Sequence, residues 1–310
     1  MSGHPANTDS ITKAQKPSEL KRLSVRYFLP LIMVAIFFKL TGCAERLFYH
    51  PEAGRSDFSR RFKGAEEVTF ASADGTKLNG WFIAAQVHGP ASAASDTDVK
   101  YPTIIHVHGN AGNISGHIGF TDYLPAAGFN LFVFDYRGYG ASEGSAWRRA
   151  DLIADTLAAI DCVLARPDVD PQRVALYGQS LGGAIAIDAM AKRPQIRCAI
   201  FESAFASWRQ VAASAVGGAE PGAFSKSLAW LLISDADRPL DAIKMIHRPM
   251  LILHGTADTI VPVQHGRMLR DASEGYATLI EYPGGQHNSL RDSHPQVEKD
   301  VITFLNQHLD

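Results

Sequence analysis

Two pentapeptides in this chain set a serine between spaced glycines: Gly178-Gln179-Ser180-Leu181-Gly182 and Gly140-Ala141-Ser142-Glu143-Gly144. Such a serine can attack a carbonyl carbon if a neighbouring base takes its proton and a third group fixes the base's tautomer. The chemistry needs a sharp strand-to-helix turn that lifts the hydroxyl and aims helix N-terminal amides at a developing oxyanion. Val174-Ala175-Leu176-Tyr177 runs into the first motif, and Leu181 to Met190 leaves it as an apolar, Ala-rich helix. Ser180 is therefore the nucleophile candidate. Ser142 lies several residues beyond its strand in a Gly-rich stretch and reads as a loop serine near a helix start.

The base and the acid follow in chain order. After the apolar run Met250 to Leu253 comes His254-Gly255-Thr256-Ala257-Asp258, which puts a carboxylate on a loop just past a buried strand. After Leu279 to Tyr282 comes Pro283-Gly284-Gly285-Gln286-His287, a flexible turn able to carry an imidazole over the serine. Asp258 and His287 are the candidates for those roles. Asp235 and Asp237 fall far from a strand end and read as helix caps or solvated residues. His117, His265, His294 and His308 read as surface or turn residues. Oxyanion donors are expected from the backbone N–H of Leu181 and of Asn110, the latter in His106-Val107-His108-Gly109-Asn110-Ala111-Gly112-Asn113. His106 and His108 lack a third ligand at metalloenzyme spacing, so they read as histidines that hold this loop by hydrogen bonds, and no metal is expected.

Elements that could position these groups are legible in the hydrophobic rhythm. Glu66 to Ala85 holds two strand-like runs around Asp74-Gly75, a hairpin signal. From Thr103 onward, short apolar runs (Thr103–Val107, Leu131–Phe134, Val174–Tyr177, Ala199–Phe201, Met250–Leu253, Leu279–Tyr282) alternate with helix-period segments at about 149–165, 181–192 and 296–307. That alternation predicts βαβ units and a parallel sheet covered on both faces. The rhythm breaks over 203–244, which reads as a small helical cap over the sheet's C-terminal edge or as ordinary connecting helices.

Several segments together resemble a known family: H-G-N-A-G-N at 108–113, D-Y-R-G-Y-G at 135–140, G-Q-S-L-G-G at 178–183, E-S-A-F at 202–205 and H-G-T-A-D-T-I-V-P at 254–262. They are similar to α/β-hydrolases of the compact esterase, thioesterase and lysophospholipase-like subgroup, over about Glu66 to the C-terminus. The resemblance implies an α/β fold with a mostly parallel eight-stranded sheet, a Ser-His-Asp triad and no organic cofactor. It implies hydrolysis of carboxylic esters or thioesters of a small-molecule or lipid-like acyl substrate. A peptidase or amidase of the same fold, or an inactive lipoprotein that only binds, are the alternatives.

The chain has 310 residues, and its 30 Lys+Arg against 32 Asp+Glu give no electrostatic reason to expect a nucleic-acid partner. Residues 1–42 read as an export and membrane-targeting segment: basic residues up to Arg26, then the apolar run Phe28 to Phe38, of about a dozen residues. That run is short of the roughly 20 residues a membrane-spanning helix needs. Leu40-Thr41-Gly42-Cys43 resembles a bacterial lipobox, which would make Cys43 a lipid anchor, 43–65 a tether and the location the cell envelope; an uncleaved membrane anchor is the rival reading. Cleavage before Cys43 removes six basic and two acidic residues and leaves 24 against 30, a mildly acidic body. Cys162 and Cys198 read as small buried hydrophobes, not as a disulfide.

Overall fold

A computed structural model describes residues 45–86, 99–218 and 220–310. The apolar runs assemble into one eight-stranded sheet: β1 (Glu66–Ala71), β2 (Lys77–Ile83), β3 (Thr103–Val107), β4 (Asn130–Phe134), β5 (Val174–Gln179), β6 (Cys198–Glu202), β7 (Met250–Gly255) and β8 (Ala277–Tyr282). The strand order is β1-β2-β4-β3-β5-β6-β7-β8. β2 is antiparallel to both β1 and β4, and every other pairing is parallel. The predicted architecture, hairpin included, is the one observed.

Strands β3 to β7 are buried at every position. Helices on both faces cause this, and it is why these strands read as continuous apolar runs instead of alternating ones. Alternate residues feed two cores. On one face Ile105, Phe132 and Leu176 pack with α1 (Arg149–Leu164) and α2 (Leu181–Lys192). On the other, Ile104, Leu131 and Ile200 meet Val297, Val301, Leu305 and Leu309, a stripe at every fourth residue of α6 (Gln296–Leu309). The 203–244 insert contains α3 (Trp208–Gly217) and α4 (Ala223–Leu232), and α5 (Gln264–Ala272) follows β7.

Where the sequence suggested a tether, the described residues of 43–65 instead pack on the domain. Tyr49, Phe58 and Phe62 are buried, and Phe58 meets Trp81 edge-on at 5.8 Å. Glu52 N–H donates to Gly112 O at 2.9 Å and Gly54 N–H to Gly140 O at 3.0 Å. The Glu45 carboxylate accepts from Arg149 Nε at 3.1 Å. From Glu45 onward the described segment is thus part of the packed body, because aromatic burial and backbone pairing to two Gly-rich loops hold a stretch that has no strand period of its own. Cys162 and Cys198 are free thiols. Cys43 and residues 1–42 lie outside the described residues.

Candidate active site

The turn between β5 and α2 forces its serine into a conformation that side chains avoid. Ser180 has φ 53° and ψ −114°, and such strain costs about 1–3 kcal/mol and persists only where the surroundings over-determine it. Those surroundings are close backbone. A Cβ on Gly178 would sit 2.7 Å from Gly182 O, and one on Gly182 would overlap the carbonyl oxygen of Val107 in the neighbouring strand. The two motif glycines are therefore required by contact, and Ser180 N–H is pinned to Glu202 O at 2.8 Å across the β5–β6 pair.

His287 and Asp258 converge on that serine. His287 Nε2 lies 2.9 Å from Ser180 Oγ, and His287 Nδ1 lies 2.7 Å from Asp258 Oδ2. The other carboxylate oxygen, Oδ1, accepts from the amides of Ile260 (2.9 Å) and Val261 (2.8 Å). Burial alone would raise the Asp258 pKa, but the bonds from His287 and the Val261 amide outweigh it, so the group is held below its usual range. A charged acceptor at Nδ1 favours the tautomer that carries its proton there, which leaves Nε2 free to accept from the serine. The arrangement can deprotonate a nucleophile and stabilise the resulting imidazolium.

Leu181 and Asn110 border the cavity above Ser180. The Asn110 side chain is fully engaged elsewhere: Oδ1 accepts from His50 N–H (3.1 Å) and Tyr139 OH (3.0 Å), and Nδ2 donates to Phe48 O. What Asn110 can offer a substrate is its backbone amide, in a turn where Ala111 and Gly112 both adopt φ 65°. The cavity encloses about 650 Å³ and is walled by Phe205, Trp208, Val211, Leu228, Leu232 and Ile260, with Phe48 and His50 closing one side. These last two belong to the segment expected as a tether. They carry no motif, and only Phe48's apolar character hinted at contact.

The remaining polar residues support this geometry. Ser142 Oγ donates to Asp135 O at 2.7 Å and accepts from Asn79 N–H at 2.9 Å, stapling its loop to β2, and it bonds neither His287 nor Asp258. Asp235 accepts from Ser207 Oγ at 3.0 Å and so holds the start of α3. His106 bonds Thr121 at 2.9 Å, and His108 bonds the Gly109 carbonyl at 2.7 Å. One of the histidines read as surface or turn residues is not. His265 is buried, its pKa pushed down to about 4 by desolvation, and its Nδ1 accepts from Ala206 N–H at 3.1 Å. His117 is half-buried at the end of a short helical turn beside His108, with Nε2 2.9 Å from Ala111 O. Ser203, to which the E-S-A-F segment alone assigns no role, has φ 51°, donates from Oγ to His287 O at 3.5 Å and links the β6 exit to the histidine loop.

Glu202 is buried beneath the elbow with Tyr177 OH donating to it, and desolvation pushes its pKa up from 4.5 to about 7. A carboxyl raised in the fold favours folding fully below its unfolded value, and that contribution is lost as pH rises through the folded value. Glu202→Gln removes the charge but keeps an acceptor for Tyr177. Its Tm should match wild type near pH 4.5 and exceed it increasingly between pH 4.5 and about 7, as read by thermal melts across pH. Parallel melting curves would contradict the assignment.

Residues 100–239 match the family described as serine aminopeptidase, S33, and residues 229–308 match that described as TAP-like protein. The uncharacterized protein YfhR of Escherichia coli K12 is 35% identical over 292 residues, taking in 92% of this chain and 95% of YfhR. WAV2 of Arabidopsis thaliana, an alpha/beta hydrolase domain-containing protein, is 31% identical over 234 residues, 72% of each chain. The esterase Pf2001 of Pyrococcus furiosus superposes with a TM-score of 0.67 at 20% identity, over 85% of this chain and 99% of that one.

Proposed function

The chain belongs to the α/β-hydrolase superfamily, and from that membership we propose that it is a serine hydrolase acting on carboxylic esters or thioesters of apolar acyl groups. The observation that carries this reading is the relay of two hydrogen bonds, Asp258 to His287 to Ser180, opening on an apolar cavity. Ser180 Oγ attacks the carbonyl carbon while His287 Nε2 takes its proton, and the amides of Leu181 and Asn110 hold the oxyanion. His287 then returns the proton to the departing alkoxide or thiolate, leaving an acyl-serine. Water attacks that ester, His287 takes the water's proton, and collapse releases the acid and restores Ser180.

One observation favours amide cleavage instead, the serine aminopeptidase description of the family matched over 100–239. An aminopeptidase must hold a substrate ammonium, and a buried ammonium requires a carboxylate partner. Among the described residues lining the cavity none is Asp or Glu, so the wall suits an acyl chain better than a peptide N-terminus. We place the protein in the cell envelope, held by a lipid on Cys43 after cleavage of residues 1–42, a reading supported by the apolar run and the Leu-Thr-Gly-Cys segment.

The test is an active-site and chain-length experiment on the full protein. A fluorophosphonate should label wild type and Ser142→Ala alike, and should fail on Ser180→Ala and His287→Ala. Across p-nitrophenyl esters kcat/KM should rise about fourfold per added methylene until the cavity is filled, because each buried methylene contributes about 0.8 kcal/mol. A folded wild type that neither labels nor turns over esters would overturn the reading, and faster turnover of the matching aminoacyl amides would replace it with the peptidase.

A further inference from the structure

Helix α4 carries more apolar surface than the fold buries. Ser225 and Ala229 pack inward, and Leu232 lines the cavity. Phe224, Leu228 and Leu231 form a second stripe at i, i+4 and i+7 beside the first. Leu228 borders the cavity, whereas Phe224 is 76% exposed and Leu231 is exposed as well. Across the cavity mouth, Val216 at the end of α3 and Ile260 on the Asp258 loop both line the opening and both stand exposed, at 61% and 53%. Scattered exposed apolar residues are ordinary, but here two line one cavity and two share a helical stripe with Leu228, which also lines it, and such a group marks an interaction surface.

The start of the described chain says what covers that surface. The Arg149 guanidinium, almost fully buried, bonds Glu45 and also the carbonyls of Ser234 and Ala236, each at 2.8 Å, just after α4 ends. The first described residue is thereby joined to the exit of the α3–α4 hairpin. Next to it Arg46 stacks on the exposed Trp147 ring at 4.2 Å, a pairing suited to a membrane–water boundary. Six residues separate Glu45 from the apolar run ending at Phe38, and fully extended they reach at most about 25 Å. A lipid on Cys43 would be closer still. Whatever bilayer holds the N-terminus lies within that distance of Glu45, which Arg149 ties to the segment just after α4.

We propose that Phe224, Leu231, Val216 and Ile260 dock on a phospholipid bilayer, so that the cavity over Ser180 opens onto the membrane and takes acyl chains from it. The proposal rests on the membrane-anchoring reading of the N-terminus, but it does not require that the protein hydrolyse esters. Bilayer docking accounts for both the apolar rim and its position beside the chain entry, with α4 lying in the interface as amphipathic helices do.

The test uses the full chain reconstituted in phosphatidylcholine–phosphatidylglycerol vesicles, with Phe224, Met245 or Tyr276 replaced by p-benzoylphenylalanine. Met245 and Tyr276 are also exposed but precede β7 and β8, at the opposite end of the sheet from the cavity. On irradiation, position 224 should give phospholipid adducts about tenfold more often than 245 or 276. In parallel, Phe224→Asp with Leu231→Asp should still float with vesicles and hydrolyse a soluble short-chain ester at the wild-type rate. Turnover of a long-chain ester embedded in the vesicles should fall about tenfold or more. Equal adducts at all three positions, or protein–protein adducts from 224 showing that a second copy covers the face, overturn docking. Failure of the wild type to float removes anchoring and docking together. Lipid adducts from a protein that cleaves no ester uphold docking and remove only the hydrolase reading.

Discussion

Ser180→Ala is expected to lower kcat/KM for a soluble ester by about 10⁴-fold or more while leaving Tm nearly unchanged. The hydroxyl contributes to the relay, whereas the strained backbone beneath it is fixed by the contacts of Gly178 and Gly182 and by the bond from Ser180 N–H to Glu202 O, all of which the substitution keeps. Asp258→Asn should cost about 10⁴-fold by another route. Oδ1 is anchored by the Ile260 and Val261 amides, so an amide group there must keep its oxygen on them and turn its NH₂ toward His287 Nδ1. A donor at Nδ1 forces the imidazole proton onto Nε2, the atom that must receive the serine's. Steady-state kinetics with circular dichroism check both variants; turnover within tenfold of wild type in either would remove the residue from the mechanism. Asp258 also links activity to acid stability. Its pKa is depressed in the fold, so its contribution is present above the unfolded value near 3.8 and is lost as pH falls through the folded value.

Arg149→Ala should destabilise the protein by about 3–5 kcal/mol, the range for breaking a buried ion pair by removing one partner. Arg149 is 2% exposed and Glu45 9%, so the carboxylate left behind would be desolvated and unpaired. The substitution also strips the Ser234 and Ala236 carbonyls of their donor and removes a cation stacked 4.3 Å from the Trp208 ring, a wall of the cavity. Urea unfolding measures the loss. Combining it with Glu45→Ala should cost less than the sum of the two single changes, because the double variant leaves no orphaned charge. Strict additivity would mean that the pair does not hold the N-terminal segment to the insert. Long-chain ester turnover should decline with Arg149→Ala more than short-chain turnover, since Phe48 and Trp208 are the cavity walls that loosen.

The strands were legible because burial on both faces leaves a continuous apolar run, and α2 because its Ala-rich sequence follows the elbow directly. Helix α5 was not. Its sequence, Gln264 to Ala272, is mostly polar with a glycine inside, and it buries only His265, Gly266 and Leu269. Gly266 is there because a Cβ would lie 2.8 Å from His254 Nδ1, a contact that no local pattern announces. For the same reason His265 looked like a surface histidine: its partner, Ala206 N–H, is 59 residues away.

By itself the sequence determined the succession of strands and helices along the chain, and it nominated three residues for chemistry. Spaced glycines, strand ends and chain order are local properties, and the backbone obeys them wherever the rest of the chain goes. Only the tertiary structure decided what surrounds Ser180. Phe48 and His50 reach the cavity from a segment without secondary-structure period, Ser203 reaches the His287 carbonyl across 84 residues, and Arg149 joins Glu45 to the end of α4 across 104 and 85. These contacts form because buried polar groups must find partners and apolar side chains must find cover. Which partner satisfies them depends on the packing of the whole sheet, and no window of sequence contains that.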